Sequence, residues 1–241
     1  MTDITTWFTL GTLGMIGGTL AMGYALWRAP GENAREDWLL IGVGVVAAVA
    51  YALLSGEIGT IQAMDGHTIY AVRYIDWLVT TPMHVAYLAL LVGVTGRYLW
   101  EVTIVQALTI VLGLAGAYVE GPLKWVLFAA GGLAFVRVLY LLYGPVTDVA
   151  RTGDEQVAGT HRTLLNFIAV LWLIYPVVWI LAQSGIGILD LETQALVITY
   201  IDVVAKIGFG LIALNGRAIA SLVTGEDADA EPAAGEPSTA D

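Results

Sequence analysis

Long apolar runs constrain the fold of this chain more than any other feature. Short polar stretches separate seven of them: Thr5–Trp27, Asp37–Leu54, Ala71–Val94, Leu99–Val119, Leu123–Tyr143, Thr163–Ala182 and Glu192–Val223. A helix needs about 20 mostly apolar residues to cross the hydrocarbon core of a bilayer. The share of hydrophobic residues is 58% and that of charged residues only 13%, which is typical of an integral membrane protein. The sequence therefore predicts an all-α membrane protein, a seven-transmembrane-helix bundle that crosses a cell membrane several times.

Two of the connections carry turn signals. The segment between the second and third runs contains Asp65-Gly66 among alternating apolar and polar residues, which predicts a small β-hairpin. Glu120-Gly-Pro separates the fourth and fifth runs, so these two helices are expected to be antiparallel neighbours.

Basic residues outside the membrane core predict the orientation. One set of connections and the end of the last helix hold most of them, namely Arg28, Arg35, Arg97, Arg151, Arg162 and Arg217. The alternate connections hold only Lys124. The positive-inside rule then predicts an N-terminus outside and a C-terminus in the cytoplasm. Residues 1–223 are expected to form one membrane domain, and the acidic residues 224–241 a disordered cytoplasmic tail.

Composition also bears on partners and metals. The net charge of −11 argues against a nucleic-acid partner. The chain has no cysteine, and its three histidines do not follow a metal-ligand spacing, so no metal site is expected.

Lys206 is the most unusual residue of the last apolar run. A lysine in the membrane interior is costly, which makes it a candidate functional residue. Asp202 precedes it by four residues and therefore lies one helical turn away on the same face. One explanation is a structural ion pair between helices. The other is a Schiff base between the lysine amine and an aldehyde, with the carboxylate as its counter-ion. The segment alone leaves both open.

The third apolar run carries a polar face. Its members recur at helical spacings of three, four and seven residues: Arg73, Asp76, Thr80 and Tyr87. Asp76 and Asp202 are both expected in the outer half of the membrane, so with Arg73 and Lys206 they predict one charge cluster. Tyr87 is expected about 16 Å further in. A structural ion network without any ligand remains the alternative.

Three motifs resemble those of the microbial (type 1) rhodopsins of haloarchaea, over nearly the whole chain. They are Arg73-Tyr-Ile-Asp76-Trp77-Leu-Val-Thr80-Thr81-Pro82, Trp172-Leu-Ile-Tyr175-Pro176-Val-Val-Trp179 and Asp202-Val-Val-Ala-Lys206. The resemblance implies a retinal photoreceptor, not an enzyme, with retinal bound covalently to Lys206 as a protonated Schiff base. It also implies that Asp76 is the primary counter-ion and proton acceptor and that Asp202 is the second counter-ion. By the same resemblance, Arg73 is the outward electrostatic gate. Two tyrosines, Tyr51 and Tyr74, are expected to support the aspartates.

The retinal pocket is expected to have aromatic and small residues in its walls. Aromatic rings offer large, flat, apolar surfaces of the kind that a polyene needs. The expected pocket residues are Trp77, Thr80, Thr81, Phe128, Gly131, Gly132, Phe135, Trp172, Tyr175 and Trp179. Gln106 is expected to hydrogen-bond to Thr81, and His84 to form a hydrogen bond between helices.

The resemblance favours a sensor over a pump. Tyr87 and Gln194 stand where the outward proton pumps of the family carry carboxylic acids. A tyrosine is a poor proton donor to an imine, so a slow photocycle is expected, which suits signalling. The leading interpretation is therefore a phototaxis photoreceptor that signals to a two-helix transducer in the same membrane, with Tyr200 as a candidate contact. A slow or weak light-driven outward proton transporter is the alternative.

The class of sensor is mixed. Tyr200 is similar to the seventh-helix tyrosine of the repellent receptors, whereas Ala205 is similar to the attractant receptors. In this mixture the chain resembles the so-called middle rhodopsin. The resemblance also allows a homo-oligomer, and a seven-helix protein without a chromophore is the third reading.

Overall fold

The computed structural model describes residues 4–28 and 34–214. Within these residues the chain forms seven long helices that pack as a bundle. Their bounds are α1 Ile4–Arg28, α2 Ala34–Ser55, α3 Ala71–Leu91, α4 Arg97–Tyr118, α5 Pro122–Ala150, α6 Glu155–Leu181 and α7 Leu191–Leu214. The predicted seven-helix bundle is confirmed. The predicted tail, residues 224–241, and Arg217 lie outside the described residues.

The third helix differs in composition from the other six. Among the described residues, six helices are long and apolar enough to cross a membrane, and α3 is not one of them. Its buried side chains include the predicted polar face and more, namely Arg73, Asp76, Thr80, Thr81, His84 and Tyr87. It packs against α2 and α4 and also contacts α6. Because these side chains face other helices, α3 can carry polar groups that lipid would not tolerate.

The predicted hairpin lies between α2 and α3. Strands β1, Thr60–Gln62, and β2, Thr68–Tyr70, pair antiparallel, with Ile61 opposite Ile69. Gly66 lies in the connecting turn with φ +86°, a conformation that glycine adopts without strain. The hairpin prediction is confirmed.

The hairpin is fastened to the neighbouring helices, and the bundle end that carries it is called the hairpin end. The backbone N–H of Met64 donates a 2.9 Å hydrogen bond to the carbonyl of Tyr118 at the end of α4. Asp65 lies 3.5 Å from the Lys124 ammonium of α5. Burial raises the pKa of Asp65, but hydrogen bonds from His67 and the two nearby positive charges outweigh this, so that the pKa is lowered overall. The hairpin therefore covers one end of the bundle.

The fourth and fifth helices are antiparallel neighbours, as predicted. The turn between them contains Gly121 with φ +69°, and the two helices pack along each other. The largest differences from the predicted runs are at the end of α5 and the start of α6, where the helices continue beyond their apolar core. α5 ends at Ala150 and not at Tyr143, after a kink at Gly144 that precedes Pro145.

The sixth helix begins earlier than its apolar run. It begins at Glu155, not at Thr163. Asp154 caps it, since its carboxylate accepts a 2.9 Å hydrogen bond from the backbone N–H of Val157. The length of an apolar run therefore underestimates the length of a helix whose end extends into polar surroundings.

Two local features of the helices lie near the centre of the bundle. α7 contains a π-helical segment, Val204–Gly208, around Lys206. α1 approaches α2 and α7 closely at Gly11, where a Cβ would overlap the ring of Tyr51 and come within 2.8 Å of Thr199. The absence of a side chain at Gly11 therefore leaves space for the Tyr51 ring.

Candidate functional site

Lys206 lies between two carboxylates in the interior of the bundle. Its Nζ donates a short hydrogen bond to Oδ2 of Asp76, and it lies 3.6 Å from Oδ2 of Asp202. The lysine side chain is 3% exposed, and neither carboxylate is exposed at all. The predicted grouping of the lysine with both aspartates is therefore present in the structure, and it joins α3 to α7.

Asp202 is the more firmly held of the two carboxylates. It accepts hydrogen bonds from the Tyr51 hydroxyl at 2.7 Å and the Tyr175 hydroxyl at 2.5 Å. The Trp77 indole N–H lies 3.1 Å from its Oδ1. These donors belong to α2, α6 and α3, so one carboxylate joins four helices. The expectation for Tyr51 agrees with this geometry, whereas the sequence analysis missed the contact of Tyr175 with Asp202.

Asp76 has a different environment. Its Oδ2 accepts from Lys206, while its buried Oδ1 receives no hydrogen bond from the described part of the chain. A carboxylate oxygen without a donor retains its lone pairs and can accept a proton. The two aspartates therefore differ in their partners: three donors from other helices surround Asp202, whereas Lys206 is the main partner of Asp76.

Arg73 and Tyr74 were expected to interact with the carboxylates of Asp76 and Asp202, but neither residue contacts them. The Arg73 guanidinium lies 5.4 Å from the ring centroid of Phe8 and 5.3 Å from that of Tyr70, which are cation–π distances. Within the described residues, no ion pair joins it to either aspartate. The reason is that Arg73 lies one turn nearer the hairpin end, where aromatic rings cover it. Tyr74 packs edge-on against Trp77 and makes no hydrogen bond to the aspartates in the described chain.

A cavity lies beside Lys206, between α3, α4, α5, α6 and α7. Nine of the ten predicted pocket residues line it: Trp77, Thr81, Phe128, Gly131, Gly132, Phe135, Trp172, Tyr175 and Trp179. Thr80 does not, because its hydroxyl is fully buried and donates a 2.8 Å hydrogen bond to the backbone carbonyl of Asp76. The structure therefore places Thr80 outside the cavity wall, with its hydroxyl bound to the helix backbone at Asp76.

The cavity walls are aromatic and shaped by small residues. Phe128 stacks on Trp179 with ring centroids 4.4 Å apart. A Cβ at Gly132 would meet no atom within 4 Å, so this position opens space toward the cavity. The predicted hydrogen bond from Gln106 to Thr81 is confirmed at 2.9 Å. Flat apolar walls that lead to a buried amine fit a long conjugated aldehyde.

His84 also lines this cavity, next to Lys206. Its Nδ1 lies 2.8 Å from the carbonyl of Thr80 in the same helix, and the ring also interacts with the backbone of Ala205 in α7, which agrees with the expected contact between helices. Its Nε2 is buried and has no hydrogen-bond partner among the described residues.

Tyr87 lies toward the end of the bundle opposite the hairpin, and it is fully buried. Its hydroxyl donates a 3.1 Å hydrogen bond to Oδ1 of Asp37 in α2, a carboxyl group that is only 1% exposed. The sequence analysis did not single out Asp37. The signal was present, because Asp37 precedes Tyr51 by fourteen residues, which is close to four helical turns and therefore the same face.

Comparisons with known proteins give a consistent result. The family model described as bacteriorhodopsin-like protein matches residues 2–220. The chain is 47% identical over 215 residues to sensory rhodopsin-2 of Haloarcula vallismortis, covering 89% of this chain and 91% of that protein. It is 37% identical over 227 residues to sensory rhodopsin-2 of Natronomonas pharaonis, with 94% of each chain covered.

A solved structure agrees with the fold. The thermophilic rhodopsin of Rubrobacter xylanophilus superposes with a TM-score of 0.86 at 30% identity, covering 91% of this chain and 98% of that one. Because the family model and the relatives each cover most of the sequence, the chain belongs to the bacteriorhodopsin-like family and is a multi-pass membrane protein.

The hydrogen bonds to Asp202 predict a measurable contribution to stability. Tyr175→Phe removes one donor to a buried carboxylate and should lower the free energy of unfolding by about 1–3 kcal/mol. Denaturation in mixed detergent micelles measures this change. Tyr140→Phe is the control, since that side chain is 61% exposed. Equal stability of the two variants would contradict the anchoring role.

Proposed function

We propose that this member of the bacteriorhodopsin-like family is a retinal-based photoreceptor for phototaxis, which signals to a transducer in the same membrane. The observation that carries the proposal is the buried amine of Lys206, held between Asp76 and Asp202 at the wall of an aromatic cavity. The names of the relatives from Haloarcula and Natronomonas, both sensory rhodopsins, support the sensory assignment.

The residues present fit the cofactor. Lys206 would hold retinal as a Schiff base, and the walls formed by Trp77, Trp172 and Trp179 would hold its polyene. Retinal, when bound, supplies light absorption and isomerisation. The carboxylates of Asp76 and Asp202 then balance the positive charge on the Lys206 nitrogen, which burial alone would make unfavourable.

The two carboxylates take different parts in proton transfer. Asp76 is in direct contact with the Lys206 nitrogen, so it accepts the proton that leaves this nitrogen after light absorption. Asp202 already accepts hydrogen bonds from three donors, the hydroxyls of Tyr51 and Tyr175 and the indole of Trp77, so Asp76 is the more available acceptor of the two. Transfer of the proton to Asp76 removes the attraction that joins α3 to α7. This loss is the event that a conformational signal can follow.

The orientation proposed for the bundle puts the hairpin end outside the cell. The opposite end holds Arg28, Arg97, Arg151 and Arg162, as the positive-inside rule requires for the cytoplasmic side. Asp202 then lies one helical turn outward of Lys206, and Tyr87 lies inward of the cavity. Arg73, near the hairpin end, would serve as the outward electrostatic gate.

The transducer contact is proposed on α7. Tyr200 is 69% exposed on a helix that is otherwise largely buried. An exposed tyrosine in a membrane-spanning helix can donate its hydroxyl proton to a partner helix, which is a common contact in lipid. We therefore propose that a two-helix transducer packs beside α6 and α7.

Substitution of the attachment residue tests the cofactor assignment. Lys206→Ala should abolish the visible absorption band that forms when retinal is added to the apoprotein, because no amine remains in the cavity. Absorption spectroscopy of the purified protein measures the band. Lys124→Ala, at the hairpin end, should keep it. A band of wild-type strength in Lys206→Ala would overturn the assignment.

The counter-ion assignment predicts a colour change. Asp76→Asn should shift the absorption band to longer wavelength, because loss of the carboxylate removes ground-state stabilisation of the positive charge. Asp190→Asn is the control, since Asp190 is the exposed N-cap of α7. An unchanged band in Asp76→Asn would rule out Asp76 as the primary counter-ion.

Light-induced pH change distinguishes a sensor from the alternative, a slow outward proton transporter. Vesicles that contain the protein should show little acidification under continuous light, since Tyr87 replaces a carboxylic acid on α3. Azide, which carries protons to the imine, should increase both the pH change and the rate of the photocycle. Strong acidification without azide, equal to that with it, would favour the transporter.

A further inference from the structure

We propose that the junction of α4 and α5, at the end opposite the hairpin, is a binding site for the phosphate headgroup of an anionic bilayer lipid. Three residues form it, Arg97 and Glu101 of α4 and Arg137 of α5, and they are called the headgroup cluster. None of the three lines the cavity beside Lys206. The proposal therefore goes beyond the photoreceptor function and does not rest on it.

Arg137 interrupts an apolar helix at a position that is open to lipid. The exposed side chains around it on α5 are apolar or aromatic, as in Leu133, Val136 and Tyr140. The Arg137 side chain itself is 44% exposed. An arginine on a lipid-facing surface is costly unless its guanidinium reaches polar groups at the bilayer interface. Arg137 therefore requires polar partners in the protein and in the headgroup layer.

Glu101 supplies only part of what this guanidinium requires. Its Oε1 accepts a 3.1 Å hydrogen bond from Nε of Arg137 and a short one from Nη2. A guanidinium has five N–H donors, so three remain without an acceptor in the part of the chain that the structure describes. Phosphate oxygens match this planar set of donors as well as a carboxylate does. The free side of Arg137 is therefore suited to a phosphate.

Arg97 gives the headgroup cluster an excess of positive charge. Its Nε lies 3.9 Å from Oε2 of Glu101, and its side chain is 88% exposed. A single carboxylate thus lies between two guanidinium groups and neutralises only one of them. Clusters of basic side chains between helices near a membrane surface attract anionic headgroups. The negative charge of a lipid phosphodiester would balance the excess.

The depth of the headgroup cluster matches the headgroup layer. Arg97 is the first residue of α4, and Glu101 follows one helical turn later, about 6 Å along the axis. Exposed tyrosine and tryptophan side chains are typical of the bilayer interface. Four of them occur on these two helices at this end: Tyr98, Trp100, Tyr140 and Tyr143. A lipid phosphate in this layer would thus lie within reach of both arginines.

The apolar surface beside the headgroup cluster fits the lipid tails. Ile104 and Leu108 follow Glu101 at spacings of three and seven residues, so they continue the same face of α4 toward the hairpin end. Leu133 precedes Arg137 by four residues and continues its face of α5 in the same direction. All three side chains are exposed. A lipid, which joins a phosphate to acyl chains, therefore fits this surface better than a free phosphate ion.

Native mass spectrometry of the full-length protein in detergent tests the site by titration with dioleoyl phosphatidylglycerol. Arg137→Gln should weaken binding of this lipid by about tenfold or more, because it removes charged donors to the phosphate. Arg28→Gln removes an exposed arginine of α1 at the same end and should bind like the wild type. Equal binding by Arg137→Gln and the wild type would overturn the proposal. The measurement needs neither light nor pigment, so failure of the photoreceptor function would leave it unaffected.

Glu101→Gln distinguishes a lipid site from a purely structural ion pair. It leaves both guanidinium groups free for the phosphate, so this variant should bind phosphatidylglycerol at least as tightly as the wild type. Weaker binding by Glu101→Gln would contradict the proposal. If Arg137→Gln does not fold, the double variant Glu101→Gln with Arg137→Gln takes its place, since it leaves no carboxylate unpaired. That double variant should bind as weakly as Arg137→Gln.

The same spectra identify other occupants of this surface. Dioleoyl phosphatidylcholine, which has no net charge, should bind more weakly than phosphatidylglycerol, and an excess of inorganic phosphate should not displace the lipid. Displacement by inorganic phosphate would assign the site to a free anion and overturn the proposal. A wild-type mass of two or more copies without bound lipid, which Arg137→Gln reduces to one copy, would assign the surface to a second copy of the chain instead.

Discussion

The positive charge of Lys206 is the constraint on which the rest of this bundle depends. A cation in the membrane interior requires anions near it, and anions in turn require donors or cations of their own. Asp76 supplies a nearby anion by direct contact with Lys206, and Asp202 supplies a second anion from one helical turn away. The donors that Asp202 requires come from three other helices, as the hydroxyls of Tyr51 and Tyr175 and the indole of Trp77. The polar network is therefore also the structural centre, because it joins α2, α3, α6 and α7.

The fold and the central pair could be predicted from the sequence because each rests on local spacing. Seven apolar runs gave seven helices, and the spacing of Asp202 and Lys206 placed them on one face. The bond between Gln106 and Thr81 was likewise predictable, since two polar groups in adjacent apolar helices need a partner. Helix ends were less predictable, because α5 and α6 continue into polar residues beyond the apolar core.

The errors concern residues whose neighbours come from distant helices. Arg73 has the spacing of an ion-pair partner for Asp76, but its guanidinium packs against the aromatic rings of Phe8 in α1 and Tyr70 in the hairpin. Thr80 shares the polar face but is directed to its own backbone. The spacing of Asp37 and Tyr51 puts Asp37 on the buried face of α2, but its partner Tyr87 belongs to another helix and does not follow from that spacing. Such contacts depend on how the helices are rotated about their axes, which sequence spacing does not fix.

The π-helical turn around Lys206 sets the rotation of everything that follows it in α7. A π turn contains one residue more than an α-helical turn, so the side chains beyond it are displaced by about 100° around the axis from regular α-helical positions. Phe209 is the first residue after this turn, and its ring separates His84 from Tyr87. If this single turn became regular α-helix, the Phe209 ring would rotate away from its position between His84 and Tyr87. The turn that contains Lys206 thus also sets the position of the aromatic ring that packs against both His84 and Tyr87.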